Sequence, residues 1–196
     1  MADTSDPRTI RTKMRLRQEL MAACEQHPLE QVSVAEVVRR AGIGRATFYL
    51  HYDSLDALAL DACAEMVRSA VDALHAVKVM PDDHPPPPVT ALFTEIGRRA
   101  SLYRSLTRSG GGGPLGEQLH RELAKQVAAE RRDRGLAGPG EDVAATAIAA
   151  TFTAVLTDWL HGGVSGTPTE VAARVWRLLR ALQTATCDAT PQADPR

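Results

Sequence analysis

The sequence predicts an all-α fold: a small N-terminal three-helix head followed by a larger C-terminal helical bundle. Two observations carry this. Apolar residues recur at helical spacing along nearly the whole chain. Proline- and glycine-rich breaks at residues 81–88, 110–113, 135–140 and 162–163 punctuate them. Hydrophobic residues make up 44% of the 196 while aromatics make up only 4%, a composition suited to closely packed, alanine-rich helices.

After a disordered tip over residues 1–7, the first helix is expected at 8–26, with Leu16, Leu20, Ala23 and Cys24 on its apolar stripe and Pro28 as its stop. Ser33 followed by Glu36 is a capping box and opens the second helix. Val34, Val37, Val38 and Ala41 then form one apolar stripe, and Gly42 follows as a left-handed C-terminal residue. The third helix runs over 45–50, with Gly44 as a weak N-cap. Phe48 and Tyr52, four apart, face the core and leave Arg45, Ala46, Thr47, Tyr49 and His51 pointing outward. Two short helices joined by a glycine turn have the layout of a helix-turn-helix. The outward residue types suit a major groove. Arginine reaches guanine edges or phosphate, threonine and alanine meet thymine methyls, and tyrosine and histidine donate to phosphate.

The fourth helix should span 54–79 and bury Leu58, Ala62, Met66 and Val71. The prolines of 81–88, four of them consecutive, then make a stiff connector. A fifth helix is expected at 89–108, a flexible joint at 110–113, and a polar sixth helix at 115–134. The seventh, at 141–161, carries a broad apolar band. Thr167 as N-cap, Pro168 at the first position and Glu170 at the third mark the start of an eighth. The domain reading is therefore a tip at 1–7, a head at 8–53, a body at 54–187 and a disordered tail at 188–196.

Charge separates the two parts. Residues 8–52 hold eight basic and four acidic side chains, a net +4, while the chain as a whole has a net charge of −1. A basic head on a mildly acidic body is the electrostatic footprint of a DNA-reading module with a separate sensing domain.

The run from Ala41 to Tyr52, continued by Asp53, Ser54, Leu55, Asp56, Ala57 and Leu58, resembles the DNA-binding domain of the tetracycline-repressor (TetR/AcrR) family. That pattern joins alanine-glycine, a small residue and threonine-aromatic-tyrosine to a following histidine or tyrosine and an aromatic. The resemblance implies a transcriptional regulator, a ligand-responsive repressor that binds a palindromic double-stranded DNA operator as a homodimer. Ser33, Arg45, Ala46, Thr47, Tyr49 and His51 would then form the DNA-binding set. The last two helices would form the dimer interface, and an unidentified small-molecule effector would sit in the body. One position departs from the pattern: Leu55 stands where family members usually carry a phosphate-contacting lysine. It motivates an alternative, a regulator subunit that docks onto another protein and binds DNA weakly.

Other chemistry is sparse. Phe93, Tyr103, Phe152 and Trp159 are candidate ligand-pocket residues. His120 and Glu117 read as a solvated helix face. No zinc spacing joins the six histidines to the three cysteines, and no phosphate loop or nucleophile motif occurs, so no metal, cofactor or enzyme activity is expected. Cys24, Cys63 and Cys187 form no disulfide framework, which points to a reducing cytoplasm. No signal-peptide core and no apolar window of about 18 residues is read, so no membrane span is expected.

Overall fold

The computed structural model describes residues 6–75, 84–135 and 141–187. The helices among them run α1 (Pro7–Ala23), α2 (Val34–Ala41), α3 (Arg45–Tyr49), α4 (Leu55–His75), α5 (Pro87–Arg98), α6 (Ala100–Leu106), α7 (Gly113–Asp133), α8 (Glu141–Leu160) and α9 (Pro168–Cys187). The expected all-α class, with its N-terminal helix-turn-helix, is what the chain adopts.

Helix α1 starts earlier than expected because Asp6 caps it. Its carboxylate accepts from the Arg8 N–H at 2.9 Å, and Pro7 occupies the first turn, where a missing N–H costs nothing. The helix also ends three residues short of Gln26. There the N–H groups of Gln26 and His27 both turn back to the Ala23 carbonyl at 3.1 Å. Pro28 disfavours helical backbone at His27, so the chain closes this turn and then makes a short 3₁₀ segment at Leu29–Gln31. Leu16, Leu20, Met21 and Ala23 are buried against α2 and α4.

Helix α4 is the structural link. It packs on α1 at one end and on α5, α6 and α7 further along. Buried Leu58, Ala59, Ala62, Cys63 and Val67 belong to a core cluster continuous from α1 through α9. Residues 76–83, with the expected end of this helix and the first three residues of the first connector, lie outside the described residues. Pro86 and Pro87 do not extend that connector; they cap and open α5.

The single helix expected at 89–108 is two. Arg99 breaks it with φ −114° and ψ 31°. Its guanidinium, largely buried, forms ion pairs with Glu25 at the end of α1 and with Glu95 one turn back. The backbone turns where that side chain is drawn between the two carboxylates. Immediately upstream, Gly97 lets α5 close on α8 and α9: a Cβ there would lie 3.1 Å from Pro168 and 3.3 Å from Trp159.

The glycine run at 110–113 is no loose joint. The Gly110 N–H donates to Asp158 at 2.7 Å, Gly111 to the Thr157 hydroxyl at 2.8 Å, and Arg108 to the Gly112 carbonyl at 2.8 Å. Positive φ at Gly110, Gly111 and Gly113 allows the chain to coil this tightly against α8.

Helix α8 also revises the membrane reading. Its 18-residue stretch Val143–Leu160 is long and apolar enough to cross a membrane by length and composition. Half of that stretch is buried among α7, α9 and the glycine turn, as the central helix of a bundle would be. Thr153 and Thr157 keep their hydroxyls inside by bonding back to carbonyls one turn earlier. Helix α9 begins with the expected reciprocal cap: the Glu170 carboxylate accepts from the Thr167 N–H at 2.8 Å, and the Thr167 hydroxyl accepts from the Glu170 N–H at 3.3 Å.

Candidate nucleic-acid interface and body cavity

Helix α2 begins where Ser33 caps it, its hydroxyl accepting from the Glu36 N–H at 3.2 Å. It ends at Gly42, whose φ of 65° lets the Ile43 N–H return to the Val38 carbonyl at 2.9 Å. Val37, Val38 and Ala41 are buried beneath this turn, so the direction of α3 is fixed by the core rather than by surface contacts.

Phe48 anchors α3. It is fully buried, edge-on to Tyr49 at 5.2 Å and 6.0 Å from Tyr52. Tyr52 in turn donates its hydroxyl to Asp61 of α4 at 2.5 Å, and Arg17 of α1 donates to the same carboxylate at 2.8 Å. Burial pushes the Asp61 carboxyl up. Hydrogen bonds from Tyr52 and Arg17 and the charges of Arg17 and Arg68 outweigh it and hold the group below its ordinary value. Burial and the same carboxylate push the Tyr52 phenol up, so it stays a donor. One half-buried acid thus ties α1, the end of the helix-turn-helix and α4 together.

The face of α3 turned from this anchor is open. Arg45 and Ala46 are exposed, Tyr49 is 49% exposed, and Thr47 and His51 are half-buried. Ser33 is exposed at the start of α2, with its hydroxyl engaged in the cap. All six residues are thus exposed or half-buried. Leu50, left out of the expected set, is 75% exposed at the tip of α3. Its place between two outward-facing residues is the one sequence signal for that. Leu55 opens α4 and packs partly buried against the core, so it offers the surface no charge. Arg40 is turned aside to Glu19 at 3.2 Å and Glu36 at 3.6 Å.

The body holds an apolar cavity of about 110 Å³ between α4, α5, α7, α8 and α9. Of the four aromatics expected to line a pocket, Phe152 is the one that lines this cavity. Phe93 is fully buried, with its ring 6.0 Å from Phe152 and 5.8 Å from Trp159. Trp159 lines a separate shallow groove beside Gly97 and Pro168 and donates its Nε1–H to the Gly166 carbonyl at 2.9 Å. Tyr103 is buried beside α4, its hydroxyl 3.1 Å from Met66 Sδ. The wall is instead aliphatic, with Trp176 as its second aromatic. Spacing marks which positions of a helix are buried; it does not mark which buried positions border a void.

Cys24 and Cys63 are free and buried, and burial pushes the Cys24 thiol up to about 11. Cys187 carries no described side chain. Among the described residues, no three histidine, cysteine or acidic side chains gather as metal ligands would.

A rigid three-helix head with an open recognition helix, set on a helical body, defines the class of DNA-binding helix-turn-helix transcription regulators. Residues 20–62 match the family model described as bacterial regulatory proteins, tetR family. That stretch spans the helix-turn-helix, so these residues match a tetR-family DNA-binding domain, as the sequence resemblance implied. Among solved structures it is similar to a tetR-family transcriptional regulator from Streptomyces coelicolor. That likeness has 14% identity, a TM-score of 0.55, and coverage of 91% of this chain and 83% of the other. It is also similar to the fatty acid degradation regulator FadR from Bacillus halodurans, at 15% identity and a TM-score of 0.52 over 90% of this chain and 96% of that one. No curated protein matches the chain.

Proposed function

We propose that the protein is a homodimeric, ligand-responsive repressor that binds a palindromic operator in the cytoplasm. The observation that carries this is the open face of α3, whose opposite side is anchored in the core by the fully buried Phe48. Arg45, Ala46, Thr47, Tyr49 and His51 would meet base edges and phosphates, and Ser33 a phosphate beside them. Two heads paired through α8 and α9 would place their recognition helices about one turn of DNA, ~34–36 Å, apart. An effector in the body cavity would shift α4, which lines that cavity with Val71 and Leu74 and carries the Asp61 anchor of the head. Coupling of ~1–3 kcal/mol would alter operator affinity by about 5- to 150-fold.

Anisotropy titrations with DNA from the gene's own upstream region test the reading. Sequence-dependent binding that weakens steeply with salt is expected. Equal affinity for that DNA and for scrambled DNA would overturn it.

Leu55 favours a second reading, in which the head docks onto another protein and binds DNA weakly. The Leu55→Lys variant separates the two. If the head reads DNA, the lysine should raise affinity for all sequences and steepen the log–log salt slope by ~1. Unchanged affinity and slope would favour docking.

A further inference from the structure

Protein interiors leave few voids larger than a water molecule, so the body cavity of about 110 Å³ is a space the sequence keeps open. Ala70 on α4 and Ala149 on α8 border it, where any longer side chain would begin to fill it. Val71, Leu92, Leu123 and Phe152 add aliphatic and aromatic surface. Among its described lining residues, polar groups are confined to Glu130, Gln183 and the indole of Trp176. Each of these three already interacts with other groups of the protein. Val127, Glu130, Ile148 and Gln183 also line a second cavity of about 260 Å³, so the two are contiguous. Arg131, Arg134 and Arg180 border that outer space, and none of the three is free. Arg134 pairs with Glu130, and Arg131 and Arg180 have interactions of their own.

We infer that the chamber takes an uncharged, apolar molecule about the size of one hydrocarbon ring, held by burial of its surface. An apolar cavity of ~150 Å³ lined by leucine, isoleucine and phenylalanine stays dry and binds benzene. The chamber is of the same order and its wall of the same kind, so an apolar guest displaces no well-bonded water. A carboxylate or an ammonium group would lose its hydration there with no free countercharge to meet it. It would be held only by breaking a pair the protein has already made. A hydroxyl costs less to bury, yet it too gives up its bonds to water. The inference rests on the proposed effector role of the cavity and adds the chemical class of its ligand.

Calorimetry on the full chain with toluene, benzyl alcohol, benzoate and benzylammonium tests it, since each probe carries the same ring. Toluene should bind tightest, with benzyl alcohol about tenfold weaker. Benzoate and benzylammonium should both bind more weakly than the alcohol. Val71→Phe, which fills the chamber, should remove most of the toluene binding. Leu74→Phe is the second filling variant should Val71→Phe unfold, and circular dichroism melts of each establish that the fold is retained. Benzoate or benzylammonium binding as tightly as toluene overturns the inference, as does toluene binding that survives a folded filling variant. Should both variants unfold, the ranking of the probes on the unaltered chain decides. The underlying reading fails separately. If toluene binds as described but leaves operator affinity unchanged, the ligand class stands and the regulatory role falls. If the protein binds operator DNA but none of the probes, the ligand class alone falls.

Discussion

Asp61 sets the geometry of the head through three partners on different segments: Tyr52 beyond α3, Arg17 on α1 and Arg68 on its own helix. Its folded value lies below the ordinary 3.8, so the unfolded chain takes up the proton first as the pH falls. The stability it contributes is complete above about 4 and is lost as the pH falls from there through the folded value. Asp61→Asn should cost about 1.5–3 kcal/mol at neutral pH, the range for hydrogen bonds to charged groups. It should also flatten the acid limb of the stability curve, because the asparagine has no proton to gain. Urea denaturation of both proteins from pH 7 to pH 3 checks this; parallel curves would mean that other carboxylates dominate. Arg68 extends the network to Glu122 of α7 at 2.9 Å, so the same cluster that aligns the recognition helix reaches the body.

At the scale of elements, two glycines separate backbone conformation from packing. Gly42 has a φ of 65° with nothing within 4 Å of a Cβ, so Gly42→Ala should cost only backbone strain, about 1–2 kcal/mol. Gly116 is an ordinary helical residue of α7, but a Cβ there would lie 2.2 Å from the Gly111 carbonyl oxygen. Gly116→Ala must push the 109–111 turn off α8, and its cost should reach or exceed the upper end of ~1–3 kcal/mol for overpacking. Thermal melts that rank Gly42→Ala as the more damaging would contradict this order. The contrast also explains how much was legible in the sequence. Gly42 follows an apolar stripe and a capping box, and local rules suffice to place it. The role of Gly116 depends on a turn folding over it from the opposite side, which periodicity does not encode. The break at Arg99 was hidden for the same reason: Glu25, one of its two partners, lies far away in sequence, in the turn that follows α1. The exposed side of α3 was readable because four-residue spacing from Phe48 to Tyr52 fixes which side is core. The cavity wall was not, because a void is a property of five helices together.

For the whole molecule, the open question is how one head becomes a reader of a two-fold site. Val143 on α8 is 71% exposed and Leu178 on α9 is 48% exposed, large apolar groups on the two helices proposed to pair. Thr146 and Ala150, exposed on α8, are small enough to let a partner helix approach. In a symmetric interface every substitution occurs twice, so Val143→Glu with Leu178→Glu places four carboxylates in the contact. Both positions are exposed in the single chain, so the helical content and the Asp61 network of each protomer should be unaffected. Sedimentation should show the parent chain as a dimer at micromolar concentration and the double variant as a monomer. Operator binding should then fall by about 10²-fold or more, since the second half-site is no longer presented by a tethered head. A variant that stays dimeric would place the interface on another surface, and one that turns monomeric yet binds DNA undiminished would remove the need for paired heads.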